Sequence, residues 1–162
     1  MYDSHLWTRR LVWIRGKRFK GCIFCGIIAG NKKIPQKVIY RNKDLAVIMN
    51  LFPYNIGHLQ VIPARHVQSI EELTDEEIKK MFSMVKRVMK MQRKALKPVG
   101  FNIGINVGDV AGASIEHFHI HIVPRYKHDS GFMESACSTK VMPESLEKTK
   151  KKLMKYVNLL KE

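Results

Sequence analysis

Apolar residues recur along this chain in two rhythms. After Thr74, Ile78, Met81, Phe82, Met84, Val85, Val88 and Met89 return every three or four positions, the spacing that keeps one face of an α-helix apolar. Thr74 can cap that helix, Asp75, Glu76 and Glu77 suit its first turn, and Lys97-Pro98-Val99-Gly100 stops it. Elsewhere the period is two. Phe101, Ile103, Ile105 and Val107 alternate with Asn102, Gly104 and Asn106, and His58 to Pro63 alternates as a strand that Pro63 ends. Val38 to Arg41 and Asp44 to Met49 are rich in β-branched and apolar residues and read as a hairpin about an Asn42-Lys43 turn. A short helix is expected at Gly26-Ile27-Ile28-Ala29, ended by Gly30, and a basic helix opened by Pro143 and Glu144 should run to the end.

The last strand carries the chemistry. His117-Phe118-His119-Ile120-His121-Ile122-Val123-Pro124-Arg125 places His117, His119 and His121 on one face and Phe118, Ile120 and Ile122 on the other. Three imidazoles at strict period two have no packing rationale, because apolar side chains would serve a core better. The resulting order, β-β-β-α-β-β, is that of an α+β domain with an antiparallel sheet, one long helix and a C-terminal helix. No repeat or Pro/Gly/Ser-rich linker divides the 162 residues. They read as one domain, with an N-terminal arm over 1–20 and a C-terminal extension over 126–162.

Charge and cysteines narrow the setting. Lys and Arg number 29 against 14 acidic residues, a formal net charge of +15, which favours an anionic partner. Much of it sits in helical stretches such as Glu147 to Lys155, where the simplest reading is a solvated face. No window approaches a membrane span or a signal-peptide core, so a cytoplasmic protein with no membrane partner is expected. Cys22 and Cys25 form a Cys-x-x-Cys pair suited to a metal or redox centre in a reducing compartment, and Cys137 reads as a free thiol. Gly108-Asp109-Val110-Ala111-Gly112-Ala113-Ser114 is a small-residue loop whose backbone amides, at Gly112 above all, can approach phosphate oxygens.

The His-x-His-x-His-x-x run resembles the signature of the histidine triad (HIT) family. The N-terminal Leu6-Trp7, the flank Arg125 to Met133 and the stretch Ser138 to Pro143 resemble its diadenosine tetraphosphate phosphorylase and hydrolase branch. The resemblance implies a HIT fold and an enzyme in which His119 attacks an α-phosphorus, His121 contacts the phosphate or leaving-group oxygen, and His117 orients the nucleophile or binds metal. It further implies that Asn50 binds the ribose hydroxyls, that Asn106 lies near the scissile phosphate, and that Ser114 binds phosphate. Ala113 departs from the Gln common before that hydroxyl, which fits the tetraphosphate branch better than a phosphoramidase. Cys22, Cys25, His66 and His117 match positions that bind zinc in some members, and Cys2His2 is a good tetrahedral set for a structural Zn²⁺. A homodimer is implied too, with Trp7, Trp13 and the long helix offering apolar surface.

The expected substrate is an adenine dinucleoside polyphosphate, with Arg125, Lys127, His128, Ser138 and Lys140 available for an acceptor phosphate. The alternatives are a phosphoramidase-like hydrolase of AMP conjugates and a nucleotide- or nucleic-acid-binding module with little catalysis. Nucleic acid is disfavoured as a partner, because no C-terminal zinc finger of the usual spacing follows.

Overall fold

The computed structural model describes residues 20–129 and 142–161. Trp7, Trp13, Cys137, Ser138 and Lys140 lie outside them, as does most of the N-terminal arm. Five strands, β1 (Val38–Arg41), β2 (Leu45–Met49), β3 (Leu59–Pro63), β4 (Gly100–Ile105) and β5 (Ile120–Arg125), form one antiparallel sheet in the order β1-β2-β3-β5-β4. The expected element order and α+β class are therefore observed. Asn42 makes the first hairpin by accepting the Asp44 and Leu45 amides on its side-chain oxygen.

Alternation along the central strands divides the core in two. Val47, Met49, Leu59, Val61, Ile120 and Ile122 face one side and pack on the long helix α2 (Asp75–Leu96) through Met81, Met84, Val85, Val88 and Met91. Ala46, Ile48 and Ile62 face the other and pack on Phe24 and Ile27 of the short helix α1 (Ile23–Ile28). Covered on both faces, β2 and β3 are buried along their whole length.

Several boundaries differ from the sequence expectation. α1 starts at Ile23 rather than Gly26, because Phe24 and Ile27 reach the core together from one turn, and Cys22 becomes its N-cap. Thr74 caps α2, as the sequence indicates, and Glu77 reaches back to close a reciprocal capping box. Phe82, however, falls off the apolar stripe and is 42% exposed, while Met91 and Gln92 are buried in its place. α2 ends with Lys97 in a left-handed conformation (φ 53°), since Pro98 disfavours the helical region for the residue before it.

β4 ends at Ile105, and Ile103 and Val107 stay exposed because an edge strand has a neighbour on one side only. At the C-terminus, Ser145 caps α3 (Leu146–Met154), and a 3-10 turn at Val157–Leu160 replaces the continuous helix expected from Pro143 onward. That break lets Leu153 and Leu160 both enter the core beside α2. Among the described residues no helix is long and apolar enough to cross a membrane.

Candidate active site

β5 begins at Ile120, so His117 and His119 precede the ladder instead of lying within it. The Phe118 amide donates to the Val67 carbonyl (2.7 Å), and Phe118, Ile120 and Ile122 enter the α2 side of the core. The period of two thus persists across the strand's start, leaving His117, His119 and His121 buried on the opposite side.

Hydrogen bonds fix which nitrogen of each ring carries the proton. His119 Nδ1 lies 2.8 Å from the His117 carbonyl oxygen. A carbonyl only accepts, so Nδ1–H donates and Nε2 keeps its lone pair. The next ring is set through a longer chain. The Tyr54 amide, which only donates, is 3.1 Å from His58 Nδ1; His58 Nε2 therefore bears the proton and gives it to His121 Nδ1 at 2.9 Å. His121 is left with Nε2–H pointing onward. Adjacent rings, with centroids 4.6 Å apart, so present a lone pair on His119 and an N–H donor on His121.

Burial keeps these rings neutral. Desolvation, then the neighbouring His121 and His119, push His58 down to about 3. Desolvation followed by His119 takes His121 to about 4, and desolvation likewise lowers His119 against the opposing bond to the His117 carbonyl. A neutral imidazole is the nucleophilic form, so the site needs no deprotonation near pH 7. The Tyr54 ring stacks on His58 with centroids 4.9 Å apart, and Phe24 meets His119 edge-on at 5.1 Å.

A second cluster shares His117. Its Nε2–H donates to the Pro63 carbonyl (3.0 Å), which turns the Nδ1 lone pair towards Cys22 Sγ at 3.3 Å, Cys25 Sγ at 3.5 Å and His66 Nδ1 at 3.3 Å. Cys25 Sγ is also 3.3 Å from His66 Nδ1. Tetrahedral bonds of about 2.0 Å to nitrogen and about 2.3 Å to sulfur would separate two nitrogens by about 3.3 Å and nitrogen from sulfur by about 3.5 Å. The four separations lie within about 0.2 Å of those values, all the donor atoms lie within 4.8 Å of one another, and the four residues can hold a metal ion. Desolvation and the adjacent Cys22 push the Cys25 thiol up to about 11, a bias that a bound cation reverses.

The loop between β4 and β5 leads into the histidines, the His117 amide donating to the Ile115 carbonyl (2.8 Å). Gly108 (φ 81°) and Gly112 (φ 89°) both take positive φ about a 3-10 turn at Asp109–Ala111, Gly112 in the left-handed region, and Asn106 Nδ2 donates to the Gly112 carbonyl (3.2 Å). Asn106 thereby shapes the loop, while Gly112 and Ser114 remain exposed. Asn50 follows β2 with its amide on the His58 carbonyl (3.0 Å); its Oδ1 accepts from the Phe52 amide (2.9 Å), leaving Nδ2 as the side chain's donor.

Comparison with known proteins now decides the family. The HIT domain model matches residues 31–128. The chain belongs to the HIT domain family. It is 38% identical over 117 residues to a Mycobacterium tuberculosis protein named AP-4-A phosphorylase, covering 72% of this chain and 60% of that one. It is also 38% identical over 96 residues to a Schizosaccharomyces pombe bis(5'-nucleosyl)-tetraphosphatase (asymmetrical), covering 59% of this chain and 53% of that one. The chain thus spans somewhat more than half the length of these two relatives. A zinc-bound histidine triad protein from Mycobacterium smegmatis superposes with a TM-score of 0.72 at 27% identity, covering 86% of this chain and 95% of that one.

Within this HIT domain, Arg125 is not free for a phosphate. Its guanidinium is bidentate on Asp129 (2.7 and 2.8 Å) and also donates to Asn102 Oδ1 (2.8 Å). Asp129 in turn accepts from Asn55 Nδ2 (2.6 Å) and the Tyr126 amide (2.9 Å), tying the end of β5 to the loop before β3. Lys127 and His128 are exposed. Sequence reasoning overlooked His58 and Tyr54. A lone histidine at a strand start carries little signal, and what links it to the triad is the β3–β5 pairing, in which Gln60 stands opposite His121.

Proposed function

We propose that this HIT domain cleaves adenine dinucleoside polyphosphates at an α-phosphate through a nucleotidyl-histidine intermediate on His119. The observation that carries the reading is the pair of complementary tautomers, a lone pair on His119 Nε2 beside an N–H on His121 Nε2. His119 Nε2 attacks the α-phosphorus, and the bond to the bridging oxygen breaks as the polyphosphate leaves. The positive charge that develops on the ring is met by the His117 carbonyl at Nδ1–H. His121 donates to a phosphate or leaving-group oxygen, supplying charge stabilisation in a site already ordered before substrate arrives. An acceptor then attacks the same phosphorus and restores His119.

Asn50 faces the ribose, and Gly112, Ser114 and Asn106 form the phosphate cradle in this reading. Inorganic phosphate is favoured over water as the acceptor, on the similarity to the phosphorylase. Because Arg125 is held by Asp129, the acceptor's charge falls to Lys127, His128, Ser138 and Lys140. The ion suited to Cys22, Cys25, His66 and His117 is Zn²⁺, which would lock His117 and so the carbonyl that orients His119. Thiolate ligands suit the reducing cytoplasm. A homodimer is supported by the edge strand β4, which exposes Ile103, and by the exposed Val107 just beyond its end. A monomeric mass at micromolar concentration would contradict it.

Incubation with diadenosine tetraphosphate tests the reaction. ADP plus ATP formed only when phosphate is present supports phosphorolysis; AMP plus ATP at an unchanged rate without phosphate makes the protein a hydrolase. Failure to turn over the dinucleotide alongside cleavage of an AMP phosphoramidate would shift the reading to a phosphoramidase. No turnover of either, with AMP bound, would leave a binding module.

A further inference from the structure

The charge of this chain is unevenly placed. From Lys79 to Lys97 there are eight basic residues and no acidic one, and the acidic residues of α2 are confined to its first turn. At about 100° per residue, Lys79, Lys86, Lys90, Arg93 and Lys94 fall within roughly 100° of one another, directly opposite the buried stripe of Met81, Val85 and Val88. All five are exposed. Among the described residues none of them has an ion pair; Arg93 is stacked over the Phe101 ring, 5.0 Å from its centroid. A face kept only for solubility gains from mixed signs at i and i+4. Here Lys86, Lys90 and Lys94 repeat the same sign at that spacing, which opposes helix formation.

These cations do not serve the nucleotide. α2 covers the side of the sheet that Phe118, Ile120 and Ile122 face, and the histidines lie on the other. We propose that the outer face of α2 is a second binding surface, for the phosphodiester backbone of a double-stranded nucleic acid. The row from Lys79 to Lys94 is about 22 Å long, and a duplex carries about one phosphate charge per 1.7 Å of its axis, so a helix laid against it meets more phosphates than the row has cations. α3, packed beside α2, widens the field with exposed Lys148, Lys151 and Lys155. A lipid surface fits less well, because the apolar stripe of α2 is buried in the core and cannot enter a bilayer.

The test is fluorescence anisotropy of the full chain with a labelled duplex of about two helical turns, titrated across salt concentrations. The expected log–log slope is about −4 to −5, the value for five cations on phosphates. Lys86→Glu/Lys90→Glu/Lys94→Glu should weaken binding at least tenfold and flatten the slope by about three. Dinucleotide turnover should stay unchanged, and saturating AMP should not displace the duplex. The proposal is overturned by absence of duplex binding at low salt, by an unchanged slope in the variant, or by displacement with AMP. It is overturned equally if phosphatidylserine vesicles retain the protein while the duplex does not.

Discussion

Replacing His58 probes how the site sets the tautomer of His121. In His58→Leu the Tyr54 amide and His121 Nδ1 both lose their partner, and each buried group left unpaired costs about 1–3 kcal/mol. More important for the reaction, nothing then holds the proton on His121 Nε2. A hydrogen bond to a charged oxygen contributes about 1.5–3 kcal/mol, so kcat/KM for diadenosine tetraphosphate should fall roughly ten- to 150-fold. His58→Gln discriminates this from mere loss of packing, because a carboxamide accepts from Tyr54 with its oxygen and donates to His121 with its nitrogen. It should restore kcat/KM to within a fewfold of the parent. Nitrogen-15 NMR of the imidazoles supplies the independent readout: His121 should be protonated at Nε2 in the parent and in His58→Gln, and mixed in His58→Leu. Parental kcat/KM in His58→Leu, or a His121 that carries its proton on Nδ1 in the parent, would refute the relay.

The remaining expectations concern metal, backbone and pH. Metal analysis should return about one Zn²⁺ per chain, and Cys22→Ser or a strong chelator should lower the melting temperature, since binding energy at such a site is folding energy; metal-free protein of parental stability would leave the four side chains as a thiol and imidazole cluster only. Gly57 has φ 81°, a backbone conformation that a Cβ strains, and the tip of Leu96 would also have to move aside, so Gly57→Ala should destabilise by about 1–3 kcal/mol in urea unfolding, and an unmoved midpoint would contradict that strain. Folded His58 at about 3 lies below the ordinary value of 6.5. Below pH 6.5 the unfolded chain therefore binds a proton that the folded one refuses, so this contribution to stability is whole above 6.5 and is lost as the pH falls towards 3. His58→Gln should make the acid limb of the stability curve shallower, and an identical limb would remove His58 from that account.

Much of the architecture was legible because it is written in local signals. The N-cap at Thr74, the Met81, Val85 and Val88 stripe and the hairpin turn at Asn42 each act within a few residues, and each is found in place. What escaped depends on contacts between distant segments. Phe82 fits the helical period, yet it stays exposed and the core takes Met91 instead, because which part of α2's apolar arc meets the sheet is set by packing and not by the period. Arg125 looked available for a phosphate, and nothing nearby in sequence announces that Asn102 and Asp129 hold it. The three imidazoles on one face were plain from alternation. Their tautomers were not, because these rest on Tyr54, His58 and the His117 carbonyl, groups that only the folded sheet brings together.

In the proposed reaction His119 Nε2 becomes covalently nucleotidylated. Rapid acid-free quenching of the protein with diadenosine tetraphosphate in the absence of phosphate, followed by intact-mass and peptide mass spectrometry, reads this directly. An added adenylyl group on the peptide carrying His119, discharged as ADP when phosphate is supplied and absent from His119→Ala, is the predicted result. Turnover at the parental rate in His119→Ala, or an adduct located on another residue, would contradict it.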